Sequence, residues 1–284
     1  MSSSFETIVL SRLFKFIIGA DKVPIVVHEQ ALADLSTALT TLMQGKMSES
    51  LAGEATWKDV DQETFIRFIQ FAYTGDYSVP VMIVKASDQS LRHDTNEWPA
   101  AEAVEESVEE QPAEVASNGW GSFGRSKKQI LRDRSKAFKS LTYTLLKPRS
   151  NFAHTCDPAV SEGSNENIGE VLLTHASLYV LAEKWGVESL KRLTLVKLHQ
   201  TLSMLQLDGP KVTNIIKLAR YVYSEENTPD LNTGIDELRR LICQYVAANA
   251  EVISEHPLFI KMIEEGGAFI RDLWKCVVPM YLTN

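Results

Sequence analysis

The residues that could bind a metal ion or act as nucleophiles are scattered along the sequence. The six histidines include no HExxH pair, and none lies four residues from another. The three cysteines are far apart and form no CxxC pair. A zinc site needs three or four converging ligands, so this pattern predicts no metal site and no cofactor. Unpaired cysteines also favour a reducing, intracellular compartment over a disulfide framework.

Motifs for phosphate binding and for hydrolysis are equally weak. There is no GxxxxGK[ST] loop and no GxSxG elbow. Residues 119–124 are rich in glycine but follow no predicted strand, which favours a linker. The acid pairs Glu225-Glu226 and Glu264-Glu265 are typical of solvated helix ends, because carboxylate catalysis needs two groups held across a cleft. We therefore expect a protein that is not an enzyme; an enzyme would need a catalytic cluster assembled from dispersed residues.

Bulk composition is that of a globular protein. Of the 284 residues, 44% are hydrophobic, and the net charge is −8. A duplex nucleic-acid binder needs a basic face, so nucleic acid is not the expected partner. No apolar run approaches the roughly 18 residues that span a bilayer, and residues 1–10 do not resemble a signal peptide. We expect an intracellular protein, cytoplasmic or nuclear, that binds neither a membrane nor a small-molecule substrate.

Residues 1–80 show the patterns of strands followed by helices. Two apolar runs, Phe14–Ile18 and Val23–Val27, flank the turn residues 19–22 and predict a β-hairpin. Leucines at helical spacing predict one helix from Leu32 to Leu42, and Thr56–Val60 predicts a short strand. The next helix should begin after Asp61 as its N-cap and end at Gly75. This part is predicted to be α+β.

Residues 81–168 differ in composition. Residues 94–114 contain eight acidic side chains and residues 125–149 contain nine basic ones. The acidic half has too few apolar groups to offset its ordering entropy, so we expect disorder there. The basic half contains apolar residues and could form a helix or strand that packs on the rest of the protein. Its run Arg125–Lys128 fits a nuclear-import signal, a nucleic-acid contact or a solvated, partly helical insertion.

The remaining residues read as successive helices. Predicted helices cover Val171–Trp185 and Glu188–Leu205, and Pro210 opens the next. Three more contain Ile235–Tyr245, Val252–Ile263 and Phe269–Val277, with Gly266-Gly267 between the last two. We expect paired helical hairpins.

The order and spacing of motifs resemble a BTB/POZ domain, in particular the fungal type with a helical C-terminal extension. The motifs are Phe14–Gly19 (FKFIIG), Val26–His28, Ala31-Leu32, Ser36, Leu39, Gly45–Ser50, Val60-Asp61, Phe65, Phe68 and Phe71–Tyr77, then Thr174–Val187 and Leu190 to Leu202. The resemblance implies a short sheet with a helical cluster, split by an insertion. The implied domains are 1–80 (first part of the core), 81–168 (charged, largely disordered insertion), 169–205 (closing helices) and 206–284 (helical extension).

Most of the motif residues have roles in the fold. Gly19 and Gly75 suit turns and helix ends, and His28 could connect backbone groups where a strand meets a helix, which is a simpler reading than a titrating role. Tyr73 should be buried, with its hydroxyl bonded to the backbone. The complete set of fold-defining residues is Gly19, His28, Ser36, Phe65, Tyr73, Gly75 and Ala182.

The segment Met47-Ser48-Glu49 suggests a binding role instead. In BTB domains that bind cullins, a hydrophobic residue two positions before a glutamate contacts the cullin. By resemblance, Met47 would fill an apolar pocket and Glu49 would make a charge-assisted hydrogen bond. The alternative is a loop that only shapes the surface. Ser11–Phe14 stands where many BTB domains carry Ser-Asp, and no long strand precedes it, which argues against a strand-swapped homodimer.

The resemblance implies a protein-interaction module, and two functions fit it. The first is a substrate adaptor for a cullin-type ubiquitin ligase. The second is a self-associating scaffold or transcription-associated regulator that acts by recruiting partners. The sequence carries no kelch repeat or zinc finger that would identify a client.

Overall fold

The structure, a computed structural model, describes residues 5–79, 127–144, 168–231 and 234–277. It is mostly helical with a small three-stranded sheet, in agreement with the predicted α+β class. The elements before residue 80 are α1 (Phe5–Val9), β1 (Leu13–Ile18), β2 (Val23–His28), α2 (Glu29–Ala33), α3 (Thr37–Gln44), α4 (Ser48–Ala52), β3 (Glu54–Trp57) and α5 (Gln62–Thr74). The later elements are α6 (Lys127–Lys139), α7 (Ile168–Lys184), α8 (Glu188–Met204), α9 (Gly209–Val222), α10 (Glu237–Ala248), α11 (Ala250–Ile253), α12 (Pro257–Glu265) and α13 (Ala268–Val277).

The predicted hairpin is confirmed as the antiparallel pair β1–β2, with Phe16 opposite Ile25. Gly19 begins the turn at a φ of 70°, a conformation that glycine adopts without strain. β3 lies parallel to β1 on its other side, giving the strand order β2-β1-β3. The third strand begins at Glu54 and ends at Trp57, so it starts two residues before the predicted one.

The single helix predicted from Leu32 to Leu42 is two helices. Ser36 takes an extended conformation, with φ −159° and ψ 159°, and its side chain accepts a hydrogen bond from the Leu39 N–H. A serine that caps a new helix interrupts the earlier one, although the leucine spacing continues across the break. α2 and α3 therefore pack as separate short helices.

Helix α5 begins and ends where the sequence predicts. The Asp61 carboxylate accepts hydrogen bonds from the N–H and the hydroxyl of Thr64. Gly75 ends the helix in the left-handed conformation at a φ of 79°. The helix directs Phe65 and Phe68 inward, where Phe65 packs against Phe16 of β1.

Buried side chains from both sides of residues 80–167 form one cluster, which we call the first core. It lies between the sheet, α5 and one face of the α7–α8 hairpin. It includes Phe14, Phe16, Ile18, Trp57, Phe65 and Phe68 from the first part of the chain, and Leu178, Leu181, Ala182, Val187 and Leu190 from the later part. Trp57 stacks on Trp185 with the ring centroids 4.5 Å apart. Residues of α7 and of the segment that follows it therefore complete the first core.

A second core joins the other face of α7 and α8 to the C-terminal helices. It includes Leu172, Ala176, Tyr179, Leu195, Leu198, Ile215, Ile216, Leu238, Ile242, Ile253, Phe259 and Phe269. Apolar residues surround α7 because it is covered on two sides, as expected for a helix buried between layers.

Most of the range 81–168 lies outside the described residues, including the acidic half and residues 119–124. Within the basic half, α6 packs on the second core through the buried Phe138. The Phe138 ring lies 5.2 Å from that of Tyr245, and its carbonyl oxygen accepts a 2.8 Å hydrogen bond from His199 Nε2. The basic half thus supplies a docked helix, one of the two forms considered for it.

The helix predicted from Val252 to Ile263 is divided into α11 and α12. Pro257 stands at the start of α12, and a residue before proline is disfavoured in a helical conformation. His256 is accordingly extended, and its Nδ1 accepts a hydrogen bond from the Leu258 N–H. Gly266 ends α12 at a φ of 71°.

A buried polar network connects the end of the first part to α7 and α8. Lys197 donates to the Tyr77 carbonyl oxygen at 2.8 Å and pairs with Asp76 at 2.5 Å. The Tyr77 hydroxyl lies 2.7 Å from His175 Nδ1, and His175 Nε2 lies 3.5 Å from the Thr201 hydroxyl. Breaking a buried ion pair is costly because it leaves an unpaired charge. The network therefore holds residues 76–77 against the helical hairpin.

Candidate interaction surface at helix α4

Helix α4 is a single turn that presents the predicted Met47-Ser48-Glu49 segment. Met47 immediately precedes it in an extended conformation, with φ −79° and ψ 163°. Gly53 ends the helix in the left-handed conformation at a φ of 66° and leads directly into β3. A five-residue helix is not stable alone, so its position depends on contacts with neighbouring elements.

Arg12 and Ser50 make the polar contacts that connect α4 to its neighbours. Its Nη1 donates to the Ser50 carbonyl oxygen at 3.0 Å, and its Nη2 donates to the Met43 carbonyl oxygen at 2.8 Å. Its Nε donates to the buried Glu29 carboxylate at 2.7 Å. The buried Ser50 hydroxyl also donates to the Met43 carbonyl oxygen, at 2.7 Å. One guanidinium therefore joins α4 to the end of α3 and to α2.

Because Ser50 faces inward, the side chains on the opposite side of α4 face solvent. Met47 is 58% exposed and Leu51 is 77% exposed. The two residues are four positions apart, so they lie on the same side of the turn. Large apolar side chains exposed together on a fixed element are typical of protein-binding surfaces. We call Met47, Glu49 and Leu51 the α4 surface.

Glu49, in the first turn of α4, adds a negative charge to the same element. Its own backbone N–H and the Ser48 hydroxyl lower the pKa of the Glu49 carboxyl below its usual value. The Ser48 hydroxyl donates at 2.9 Å to one carboxylate oxygen. Because its pKa is lowered, Glu49 is charged at neutral pH. A carboxylate offers about four acceptor positions, so Glu49 retains acceptor capacity for a partner.

His28 and Tyr73 lie together at the corner between β2 and α2. The Tyr73 hydroxyl accepts a 2.9 Å hydrogen bond from the His28 backbone N–H and lies 2.8 Å from His28 Nδ1. Because the hydroxyl already accepts the backbone N–H, its own proton is available for Nδ1. His28 and Tyr73 are both half-buried, so Tyr73 is less buried than the sequence predicts.

The other fold-defining residues lie apart from the α4 surface. Gly19 and Gly75 have the positive φ angles already described, and Ser36 caps α3. Phe65 and Ala182 are fully buried in the first core. Met47 precedes α4 and Glu49 lies in its first turn, whereas the remaining residues are distributed through the scaffold.

Sequence reasoning missed Arg12 and Leu51. Met47 and Leu51 are at helical spacing in the sequence, but a single such pair spans one turn. A pair of apolar residues at this spacing is too common to predict a surface. Arg12 stands between Ser11 and Leu13 at the start of a strand, and its partners are 17 to 38 residues away. No local pattern indicates such contacts.

Neither a metal cluster nor a membrane-spanning helix is found in the described ranges. No three His, Cys, Asp or Glu side chains converge in them to hold a metal ion. No helix in those same ranges has the length and apolar character needed to cross a membrane. Comparison with models of protein families, with curated proteins and with solved structures finds no match to this chain.

Proposed function

We propose that this chain is a non-enzymatic protein-interaction module with a BTB/POZ-like core, and that its α4 surface binds a cullin-type partner as part of a ubiquitin ligase. The observation that carries the proposal is the exposure of Met47 and Leu51 on an element that also carries the charged Glu49. The first core would provide the rigid support that such a contact needs.

Two features of the fold support the BTB-like core. A short sheet is followed by a helical cluster, in the order that the motif resemblance implies. The segment 178–190 packs in the same core as residues 8–77, although a long stretch of chain separates them in sequence. This is the packing expected of a domain interrupted by an insertion and completed by closing helices.

The chemistry of the α4 surface fits a helical partner. Met47 is flexible and polarisable, so it can fill an irregular apolar pocket. Leu51 extends the apolar area by one helical turn, and Glu49 can accept from an N–H or a cationic side chain. In most interfaces a few residues carry most of the affinity. A compact apolar patch with one charged contact could therefore be enough to bind a pair of helices.

The direct test is titration of the full chain with a purified cullin N-terminal region, measured by isothermal titration calorimetry. Met47→Ala combined with Glu49→Ala should weaken binding by about 30-fold, as expected when about 2 kcal/mol of central contacts is lost. A matched control removes Ile263 and Glu264, an exposed apolar residue and an acid on α12. Equal affinity of wild type and the Met47/Glu49 variant would contradict the proposed contact.

Exposed apolar residues on α1 favour the second function, self-association as a scaffold. Phe5 is 74% exposed and Val9 is 42% exposed, and the two lie four residues apart on one side of the helix. Light scattering after size-exclusion chromatography would give the mass of the particle in solution. A dimer that becomes a monomer in Phe5→Ser with Val9→Ser would support the scaffold function; a monomeric wild type would contradict it.

A further inference from the structure

A groove of about 470 Å³ lies where the β3–α5 connection, α7 and the loop after α9 meet. Its apolar lining comes from Val60, Val180, Leu181, Tyr221 and Pro229. A volume of this order accommodates one or a few side chains of a ligand. No residue of the groove belongs to the α4 surface.

The charge of the groove is strongly unbalanced. Five carboxylates and one ammonium group line it: Asp59, Asp61, Glu183, Glu225, Glu226 and Lys184. Lys184 forms its ion pair with Asp59 at the same rim, so it does not neutralise the other acids. Anionic ligands such as phosphates would be repelled, whereas cationic ligands would be attracted.

Three of these acids have partners within the protein. Asp59 pairs with Lys184, Glu183 pairs with Lys191 at 2.5 Å, and Asp61 caps α5. Glu225 and Glu226 differ from them: both are exposed, and no cation pairs with either in the part of the chain that the structure describes. Among the described residues, these two carboxylates are the groove acids left to pair with a cationic ligand.

Tyr221 gives the groove an aromatic side chain next to these charges. The residue is half-buried, and burial together with the negative charge of Asp61 raises the pKa of its hydroxyl to about 12. The ring thus stays neutral over the physiological range. An arginine or lysine placed over a tyrosine ring gains a cation–π attraction, and its aliphatic stem can cover apolar surface such as Val180.

We propose that this groove is a second binding site, which holds a basic peptide segment of a partner protein, with an arginine or lysine packed on Tyr221 and its charge directed at Glu225 and Glu226. Carboxylates spread over several elements can meet several cationic side chains, so an extended basic peptide fits this lining better than a single amine. The site acts in addition to the α4 surface and does not require cullin binding.

The experiment measures fluorescence anisotropy of a labelled peptide of alternating arginine and glycine, titrated with the full chain at low salt. The same peptide with citrulline in place of arginine keeps the shape and removes the charge. The arginine peptide should bind saturably, and at least tenfold more tightly than the citrulline peptide. Raising the salt concentration should weaken binding because exposed charges are screened.

Variants locate the site. Glu225→Gln with Glu226→Gln should weaken binding about fivefold, since each exposed ion pair contributes modestly. Tyr221→Leu should weaken it by a similar factor while keeping an apolar side chain. The matched control, Glu255→Gln with Glu264→Gln, removes two exposed charges outside the groove and should leave binding unchanged. Circular dichroism would verify that each variant is folded.

Three results would overturn the proposal. Equal weakening in the groove variant and in the control would mean that the peptide responds only to total charge. Equal affinity for the arginine and citrulline peptides would remove the role of the cation. Displacement of the peptide by an equimolar amount of spermine would assign the groove to a polyamine instead of a peptide.

Discussion

Lowering the pH from 7 to 5 should destabilise this protein by about 2 kcal/mol through one side chain, His175. The ring is fully enclosed between α7, α8 and Tyr77. Burial, with a smaller effect from the positive charge of Lys197, lowers the pKa of His175 from 6.5 to about 3. The folded protein therefore keeps His175 neutral under conditions in which the unfolded chain protonates it.

The sign and size follow from proton linkage. Above pH 6.5 both states leave the ring neutral, and the effect vanishes. Below pH 6.5 the ring is protonated in the unfolded state but stays neutral in the folded state. Stability therefore falls as the pH decreases toward about 3, the pKa of His175 in the folded protein. Each pH unit between the two pKa values contributes about 1.4 kcal/mol. At pH 5 the loss reaches about 2 kcal/mol, a substantial fraction of a typical folding free energy.

The assay is urea unfolding followed by circular dichroism at pH 7, 6 and 5. His175→Asn removes the titrating ring but keeps an oxygen that can accept from the Tyr77 hydroxyl. Between pH 7 and pH 5, the free energy of unfolding of this variant should therefore fall by about 2 kcal/mol less than that of the wild type. Tyr77→Phe is the control. It removes the hydrogen bond, which should lower stability by about 1 kcal/mol at every pH, but it leaves the ring buried.

Other acidic and basic groups titrate in every variant, so only the difference between curves is diagnostic. In Tyr77→Phe, the free energy of unfolding should therefore change with pH as steeply as in the wild type, because burial is the main cause of the low pKa of His175. An unchanged slope in His175→Asn would refute the reasoning. Loss of the slope in Tyr77→Phe would show that the hydrogen bond, and not burial, governs the titration.

Three further predictions concern packing, backbone conformation and thiol reactivity. Phe138→Ala should lower the free energy of unfolding by about 3–5 kcal/mol in urea titrations, since it empties a buried site. Gly75→Ala should cost about 1 kcal/mol because its φ is 79°, whereas Gly209→Ala, with open space around the added carbon, should cost nothing. Iodoacetamide should modify Cys276 before Cys243, as judged by peptide mapping: their mutual hydrogen bond lowers the pKa of Cys276 and raises that of the buried Cys243.

Local features of the sequence predicted the local features of the fold. The hairpin turn at Gly19 and the caps at Asp61 and Gly75 each depend on the conformational preference of one or two residues. Such signals are strong because the chemistry is confined to one turn. They failed where two signals competed, as at Ser36, whose cap divides a helix that the leucine spacing alone would continue.

Contacts between distant residues could not be predicted in this way. Tyr77 and His175 are 98 residues apart, yet they share a hydrogen bond. Cys243 and Cys276 looked unrelated in the sequence, but α10 and α13 bring their thiols together. The candidate site was identified only through Met47 and Glu49, because the exposure of Leu51 and the role of Arg12 depend on packing.

Helix α7 joins the features on which both proposals depend. Leu178, Leu181 and Ala182 complete the first core, while Leu172 and Tyr179 belong to the second. Arg12 joins α4 to Met43 of the first core, and the groove that contains Tyr221 is lined by residues from α7 itself. Loss of α7 would expose both cores, so each binding surface exists only in the folded whole. A ligand at either surface should therefore stabilise the folded protein by RT ln(1 + [L]/Kd), which rises with the logarithm of ligand concentration relative to Kd, even if the two surfaces do not influence each other directly.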